Sequence, residues 1–416
     1  MKAVILAAGR GVRLKPFTLT RPKHLLPVGG RPILEWLLLR LKAIGVDEAL
    51  IIIHHLGEMI KQRFGDGSEL GLELTYRDQG EARGTGDAFR LAEEYVGDEE
   101  FIGIYGDLYL SPKALEKLLK AHRPGETTMA VAPVEDPTRF GVVSLQDDRV
   151  VNLIEKPERG REPSNLANAG LYIFTPEIFE RLKALKPSVR GEYEVTDALR
   201  EMMAQGETIR AAVLEAEDWI DIGYPWKLLE ANERALSELE PHIEGRVEAG
   251  AYIEGPVWIE AEARVRAGAY IEGPVYIGCG ADIGPNCYIR PGTSIGAEAR
   301  IGNACEVKNS IVMPRSHIAH LSYIGDSIIG EGCNLGAGTI TANLRFDKGT
   351  VKVNVEGQVI DSGRRKLGAF IGDEAQTGIG VNLMPGVKIG PRSWIAPGLT
   401  VYRDVPPDTF YRGETP

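Results

Sequence analysis

The chain of 416 residues has no long hydrophobic run. Its most apolar stretches, Ala3 to Ala8 and Ala49 to Ile53, fall far short of the ~20 residues a membrane span requires, and the first residues do not have signal-peptide form. The expectation is a cytoplasmic protein with no membrane partner. A basic surplus is also missing: 48 Lys and Arg face 59 Asp and Glu, a formal net charge of −11. Nucleic acid and anionic membranes both need basic surface, so neither is expected as a main partner, although local clusters can still hold small anions. Cysteine is scarce. Cys279, Cys287, Cys305 and Cys333 contain no CxxC pair, and their wide spacings suit neither a zinc site nor a disulfide scaffold. Leucine nearly disappears after residue 240, with 33 in residues 1–240 and 6 in residues 241–416, while glycine rises from 22 to 27 over the shorter part. At this length two or three domains are expected, and the shift in composition marks a boundary.

In the first part, strand-like and helix-like patterns alternate: strand Val4 to Leu6, helix Pro32 to Ile44, strand Glu48 to Ile53, helix Glu58 to Phe64, strand Leu72 to Tyr76, helix Thr85 to Tyr95, strand Phe101 to Tyr105. Such alternation reads as α/β with a largely parallel sheet. In open parallel sheets ligands bind beyond the carboxyl ends of the strands. After the first strand comes Ala7-Ala8-Gly9-Arg10-Gly11-Val12-Arg13-Leu14, then Arg21-Pro22-Lys23. Glycines let backbone amides approach a phosphate, and Arg13 and Lys23 add fixed positive charge. The spacing is neither GxGxxG, since Leu14 stands where the last glycine would be, nor a P-loop. Asp107 ends the fourth strand in Tyr105-Gly106-Asp107, and Asp221 lies in Trp219-Ile220-Asp221. A carboxylate just outside a buried strand is placed to hold Mg²⁺, which uses one or two carboxylates plus substrate phosphates.

These residues resemble the sugar-1-phosphate nucleotidylyltransferases. The resemblance runs in order through Leu6 to Leu14, Pro22-Lys23, Gln79, Gly84-Thr85-Gly86, Tyr105-Gly106-Asp107, Phe140-Gly141-Val142, Glu155-Lys156-Pro157, Asn168-Ala169-Gly170 and Gly191-Glu192-Tyr193. It implies that Leu6, Ala8, Gly9, Gln79, Gly84 and Thr85 bind the nucleotide. Gly141, Glu155 and Asn168 would bind the sugar, and Asp107 and Asp221 a metal such as Mg²⁺. The implied reaction is attack of a sugar-1-phosphate oxygen on the α-phosphorus of a nucleoside triphosphate, with Lys23 and Arg13 stabilising phosphate charge. Bacterial uridylyltransferases of this kind usually carry Asn at the second metal position, whereas Asp221 resembles the hexose-1-phosphate thymidylyltransferases. UTP and dTTP both stay open, as do N-acetylglucosamine-1-phosphate and glucose-1-phosphate.

In the second part aliphatic residues recur every six positions, eleven in succession from Val247 to Val307, and the period returns from Ile371 to Val401. Hexapeptide periodicity marks a parallel β-helix. Cys287, Cys305 and Cys333 occupy the small fifth position of their hexads and read as buried apolar residues. The repeat slips between Val307 and Ile329, where two steps of five (Val307 to Val312, Ile324 to Ile329) flank His320-Leu321-Ser322-Tyr323-Ile324-Gly325-Asp326. Departure from a local rule is where function is expected. Between Asn343 and Leu367 an insertion carries alternating Val351, Val353 and Val355, the pattern of a small hairpin. The helical segment Pro225 to Leu239 would link the two parts.

The second part resembles the hexapeptide-repeat acyltransferases, which implies a left-handed helix with three hexads per coil. About seven coils, ~4.8 Å apart, would form a prism on the order of 35 Å long. Over its whole length the chain is similar to the bifunctional sugar-1-phosphate nucleotidylyltransferase / hexosamine-1-phosphate N-acetyltransferases (GlmU-like, archaeal-type). The resemblance implies an α/β Rossmann-like nucleotidyltransferase domain over 1–224, a linker helix over 225–240 and a left-handed parallel β-helix over 241–416. It makes His320 the general base that frees the attacking amine. Arg290, Lys308, Tyr323, Asn334 and Asn343 would bind the acetyl acceptor, glucosamine-1-phosphate or its galactosamine counterpart. Lys348, Lys352 and Arg403 are candidates for acetyl-CoA. A homotrimer with acetyl sites between subunits is implied as well. The alternative is a monofunctional uridylyl- or thymidylyltransferase whose β-helix serves only assembly.

Overall fold

The computed structural model describes residues 1–188 and 190–413. Compactness divides the chain into Met1–Arg10 with Ile33–Asp221, and Gly11–Pro32 with Ile222–Pro416. These units differ from the expected boundaries in three respects, the first being that the break falls after Asp221 and not after residue 224. Residues 11–32 group with the second unit, and the helix Pro225–Ser237 belongs to that unit as well.

The first unit is built on a nine-stranded sheet. Its order is Glu73–Asp78, Glu48–Ile53, Lys2–Ala7, Phe101–Tyr105, Leu166–Phe174, Thr127–Pro133, Ile209–Val213, Arg149–Glu155 and Gly141–Gln146. The first four strands in this order are parallel, as the alternation with helices predicts. Beyond them the expectation of a largely parallel sheet fails, because Leu166–Phe174 runs antiparallel to both its long neighbours and Arg149–Glu155 returns on Gly141–Gln146 through a tight turn. A short return of this kind leaves no room for the helical crossover that parallel pairing needs. Ala3, Val4 and Ile5 on the central strand are fully buried. The helix expected over Thr85 to Tyr95 is split into Thr85–Arg90 and Glu93–Val96. The amides of Leu91 and Ala92 bond only three residues back, and Arg77 Nη1 donates to the Leu91 carbonyl at 2.7 Å.

In the second unit three parallel sheets of eight, nine and eight short strands form the faces of a left-handed β-helix of about eight coils, one more than expected. Successive rungs are three hexads apart, as in Ile253↔Ile271 and Ile271↔Ile289. Ile259, Val265, Ile271, Ile277 and Ile283 point inward with no exposed surface, and each such side chain is worth about 1.5–3 kcal/mol of burial. Cys287, Cys305 and Cys333 lie within this core, buried and unpaired. Burial pushes the Cys287 and Cys333 thiols up to about 12, far from the thiolate a nucleophile needs. Rungs shorten by one position at Ser294↔Ile311 and again at Ile311↔Ile328, where the two steps of five fall. The insertion enters at the next rung of the same face, Ile328↔Phe370, and the solenoid resumes on its far side. It carries the expected hairpin, Lys352–Val355 against Gln358–Asp361. Among the described residues no helix is long and apolar enough to cross a membrane.

The helix Pro225–Ser237 is welded to the β-helix by Asn232, which is fully buried. Its amide oxygen accepts from the Gly29 amide at 2.8 Å and from Ser294 Oγ at 2.6 Å, while its nitrogen donates to the Gly292 carbonyl at 2.9 Å. Asn232→Ala strands these buried groups, and is expected to destabilise the second unit by about 3 kcal/mol. Denaturant unfolding followed by circular dichroism measures this, and a cost under about 1 kcal/mol would show that the weld contributes little.

Candidate active sites

In the first unit the candidate residues gather at the carboxyl ends of the central strands. Leu6 lies in register with Tyr105, and its carbonyl accepts from the Gly106 amide at 2.9 Å. The strand stops at Tyr105, so Asp107 sits in the turn that follows and does not end the strand itself. From that turn Leu108–Leu110 pairs with Trp219–Asp221, and Asp221 stands opposite Leu108. One two-stranded ribbon therefore delivers both candidate metal carboxylates. It is held rigidly: Trp219 Nε1 donates to the Ala169 carbonyl at 2.8 Å, and the adjoining Asp218 accepts from Ser111 Oγ at 2.6 Å and Lys117 Nζ at 2.7 Å. Burial raises the Asp218 carboxyl, but the bonds from Lys117 and Ser111 bring it below its ordinary value. Two carboxylates supply the hard oxygen donors that Mg²⁺ takes. Among the described residues no cluster of three or more His, Cys, Asp or Glu offers a closed cage.

Gln79, Gly84 and Thr85 form one cluster. Gln79 Nε2 donates to the Gly84 carbonyl at 3.2 Å and to Asp87 at 3.1 Å, and Thr85 Oγ1 accepts from the Val195 amide at 3.1 Å. Gly84 has a φ of +118°, and a Cβ there would stand 2.5 Å from the Tyr193 carbonyl, so no other residue fits. In the sugar group Gly141 stands opposite Glu155 in register. Glu155 accepts from Thr196 Oγ1 at 3.1 Å and Arg190 Nη2 at 3.2 Å. Asn168 is buried, donates to the Tyr172 hydroxyl at 2.6 Å and accepts from the Gly170 amide at 3.1 Å. Tyr172 in turn donates to Tyr105 at 3.2 Å, and burial keeps both phenols protonated by raising them. Arg190, Thr196 and Tyr172 carry no local signal of a site, because only the fold brings them to Glu155 and Asn168.

The second unit holds the loop with Arg13 and Lys23. Gly11 is left-handed, and a Cβ there would lie 2.9 Å from Thr18 Cγ2 and 3.2 Å from Lys23 Cβ. Thr18 Oγ1 donates back to the Gly11 carbonyl at 2.8 Å, and the Arg13 guanidinium stacks 5.0 Å from the Tyr224 ring.

On the β-helix, the shortened corners stack Asn309 on Asp326, both in left-handed conformation. Asp326 is 2% exposed and accepts from Lys308 Nζ at 3.0 and 3.1 Å, Asn309 Nδ2 at 2.9 Å and Asn343 Nδ2 at 2.5 Å. Asn343 also donates to the Tyr323 hydroxyl at 3.1 Å. Two candidates, Lys308 and Asn343, thus converge on one buried carboxylate to which the sequence alone attaches no role, and a third, Tyr323, is joined to it through Asn343. Arg290 lies on the same face, paired with Glu306 at 2.8 Å, and Tyr288, Glu306, Tyr323 and Ile340 help line an open groove of about 480 Å³. His320 is exposed at the end of its strand, in register with Asn303, next to groove residues Leu321 and Ser322. Asn334 is placed differently: it lies on the neighbouring sheet in register with His317. Lys348 and Lys352 are exposed in the insertion, and Arg403 is exposed in the last coils.

This joining of a mixed α/β sheet with its acidic ribbon to a hexapeptide-repeat solenoid defines a nucleotidyl transferase extended by a β-helix. Residues 2–238 match the family model for nucleotidyl transferase, and residues 271–362 match that for the GMPPB C-terminal domain. The chain is 43% identical to a bifunctional protein GlmU of Methanocaldococcus jannaschii over 411 residues, 99% of this chain and 97% of that one. It is 43% identical over 416 residues to a bifunctional sugar-1-phosphate nucleotidylyltransferase/acetyltransferase of Sulfurisphaera tokodaii, covering 99% of this chain and all of that one. A solved structure from Bacillus anthracis, named a putative glucose-1-phosphate thymidylyltransferase, is 32% identical with a TM-score of 0.51, covering 58% of this chain and 98% of that one. The chain belongs to the family of bifunctional GlmU-type sugar-1-phosphate nucleotidylyltransferase/acetyltransferases.

Breaking a buried ion pair from one side costs more than replacing it from both. Lys308→Met and Asp326→Leu are each expected to destabilise the protein, and the double variant to recover at least about 1 kcal/mol relative to the sum of the singles. Thermal unfolding of the four proteins completes the cycle, and strict additivity would separate the two residues.

Proposed function

We propose that the β-helix transfers the acetyl group of acetyl-CoA to the amine of glucosamine-1-phosphate, and that the α/β unit transfers a nucleotidyl group from UTP or dTTP to N-acetylglucosamine-1-phosphate or glucose-1-phosphate. The observation that carries the reading is the presence of both residue sets in one chain that aligns from end to end with the Sulfurisphaera tokodaii relative named for both activities.

In the acetyl step His320 takes a proton from the substrate amine, whose nitrogen attacks the thioester carbonyl only when its lone pair is free; the C–N bond forms, the C–S bond breaks and coenzyme A leaves as its thiol. Lys308 and Arg290 bind the sugar phosphate. Asp326 holds Lys308 and Asn343 in place, and Asn343 orients the Tyr323 hydroxyl. In the nucleotidyl step the sugar-1-phosphate oxygen attacks the α-phosphorus and pyrophosphate leaves. Gln79, Gly84 and Thr85 receive the base, Leu6, Ala8 and Gly9 the phosphates, and Gly141, Glu155 and Asn168 the sugar. Lys23 and Arg13 neutralise the charge that builds on the phosphates. Asp107 and Asp221 would hold Mg²⁺, which supplies further charge neutralisation at the triphosphate when bound. Lys348, Lys352 and Arg403 remain the candidates for the coenzyme A moiety.

Asp107→Asn is expected to lose pyrophosphate release by at least about 100-fold while keeping acetyl-CoA consumption. His320→Ala is expected to do the reverse. Near-normal pyrophosphate release by the first variant refutes the metal assignment. A wild type that consumes no acetyl-CoA with any hexosamine phosphate restores the reading of the β-helix as an assembly module. Running UTP and dTTP against both acceptors identifies the preferred pair.

We further infer a cytoplasmic homotrimer, with the flat β-helix faces joined by closed symmetry. Light scattering should give three times the 45.4 kDa chain mass. A monomer would count against acetyl sites shared between subunits.

A further inference from the structure

The loop carrying Arg13 and Lys23 is fastened to the β-helix at a point that neither activity explains. Arg21, two residues before Lys23, places Nη2 2.6 Å from Asp373 Oδ2 and 2.6 Å from Glu331 Oε2. Thr20 Oγ1 donates to the same Asp373 oxygen at 2.6 Å, and the other Asp373 oxygen accepts from the Glu331 amide at 2.8 Å. Asp373 therefore accepts three hydrogen bonds, and its carboxylate joins the loop to two adjacent coils. These are the coils between which the insertion leaves the solenoid. The Arg21, Asp373 and Glu331 side chains are only 14%, 8% and 23% exposed, so solvent screens the cluster weakly. Arg315 pairs with Glu331 as well, which balances two cations against two carboxylates. Nearby, Phe17 packs edge-on against Phe370, and Phe17, Thr18 and His24 are buried.

We propose that Arg21, clamped by Asp373 and Glu331, is a positioning residue for nucleotidyl transfer: the β-helix sets the conformation of the loop that presents Lys23 and Arg13 to the triphosphate. The proposal rests on the role given to Arg13 and Lys23 above. Phosphoryl chemistry of this kind is nearly all positioning and charge, and a displacement of about 1 Å costs on the order of 100-fold. A clamp two residues from Lys23 acts within that tolerance. A staple serving stability alone would leave the kinetics of correctly folded enzyme unchanged.

The test uses the full-length protein at a temperature well below unfolding, comparing wild type with Arg21→Ala, Asp373→Ala, the double variant and Arg21→Lys. Pyrophosphate release is measured with UTP plus N-acetylglucosamine-1-phosphate and with dTTP plus glucose-1-phosphate. Acetyl-CoA consumption is followed on the same samples, and amide hydrogen exchange is read over residues 11–25. The expected result is a loss of about 10- to 100-fold in kcat/KM for nucleotidyl transfer in each alanine variant, with no further loss in the double variant. Arg21→Lys should be partly rescued, acetyl transfer should stay within about twofold of wild type, and exchange over 11–25 should be faster. Unchanged kcat/KM in the alanine variants overturns the proposal, and so does an equal fall in both activities. A wild type that releases no pyrophosphate with either pair overturns the nucleotidyl-transfer reading itself, which is a different result from active wild type matched by its variants.

Discussion

A strand of two to four residues cannot hold itself in place, and every strand on the three faces of the β-helix is that short. What fixes each one is the row of backbone bonds to the coils above and below, together with an aliphatic side chain that fits only if the rungs stay aligned. The ladder Ile253, Ile271, Ile289 shows the rule, and the fully buried Ile259, Ile277 and Ile295 show its energetic cause. Because register is shared by all coils, the loss of one position at a corner is not absorbed locally. It redirects the residues at that corner and the ones stacked on it.

The polar cluster of the second unit follows from that constraint. The steps of five at Val307 to Val312 and Ile324 to Ile329 tighten successive corners, which places Asn309 and Asp326 one above the other in left-handed conformation. A carboxylate held there is excluded from solvent and must be matched, and Lys308 and Asn343 provide the match. The first unit reaches a comparable result by other means. A ribbon of two three-residue strands brings Asp107 and Asp221 to neighbouring positions, and its flank is closed by the Asp218 to Lys117 pair. In both units the candidate groups stand on short elements that are held in place by buried polar contacts.

Much of this was legible in the sequence because its signals are periodic or local. The hexad positions of Val247 to Val307 carry the solenoid, and the two short steps mark where it changes. The hairpin of the insertion was visible in Val351, Val353 and Val355. The first four strands were readable because each is a continuous apolar run bounded by a helix. The antiparallel half of the sheet was not, since strands such as Leu166–Phe174 find their partners far along the chain and no local pattern records the direction of pairing. The partners of the site residues were hidden for the same reason. Arg190 and Thr196 meet Glu155 only after folding, and Asp326 looks like an ordinary turn residue until Lys308 and Asn343 are seen to close on it. Composition shifts at residue 240, whereas the compact units divide after Asp221, and composition cannot report that residues 11–32, with the buried Phe17 and His24, group with the later part of the chain.

The packing of residues 11–32 also constrains how the protein is assembled. Thr20 meets Asp373 across 353 residues, and Arg21 meets Asp373 across 352. Closing so long a loop costs little more than closing a shorter one, because the entropy grows only with the logarithm of length. The cost is kinetic: the contact cannot form until nearly the whole chain has been synthesised and the coils around residue 371 have stacked. The partners of strand Lys2–Ala7, Glu48–Ile53 and Phe101–Tyr105, come early in the chain, whereas the anchor of the loop that follows it comes only at Asp373. The sheet of the first unit can therefore be complete while residues 11–32 still lack their final contacts.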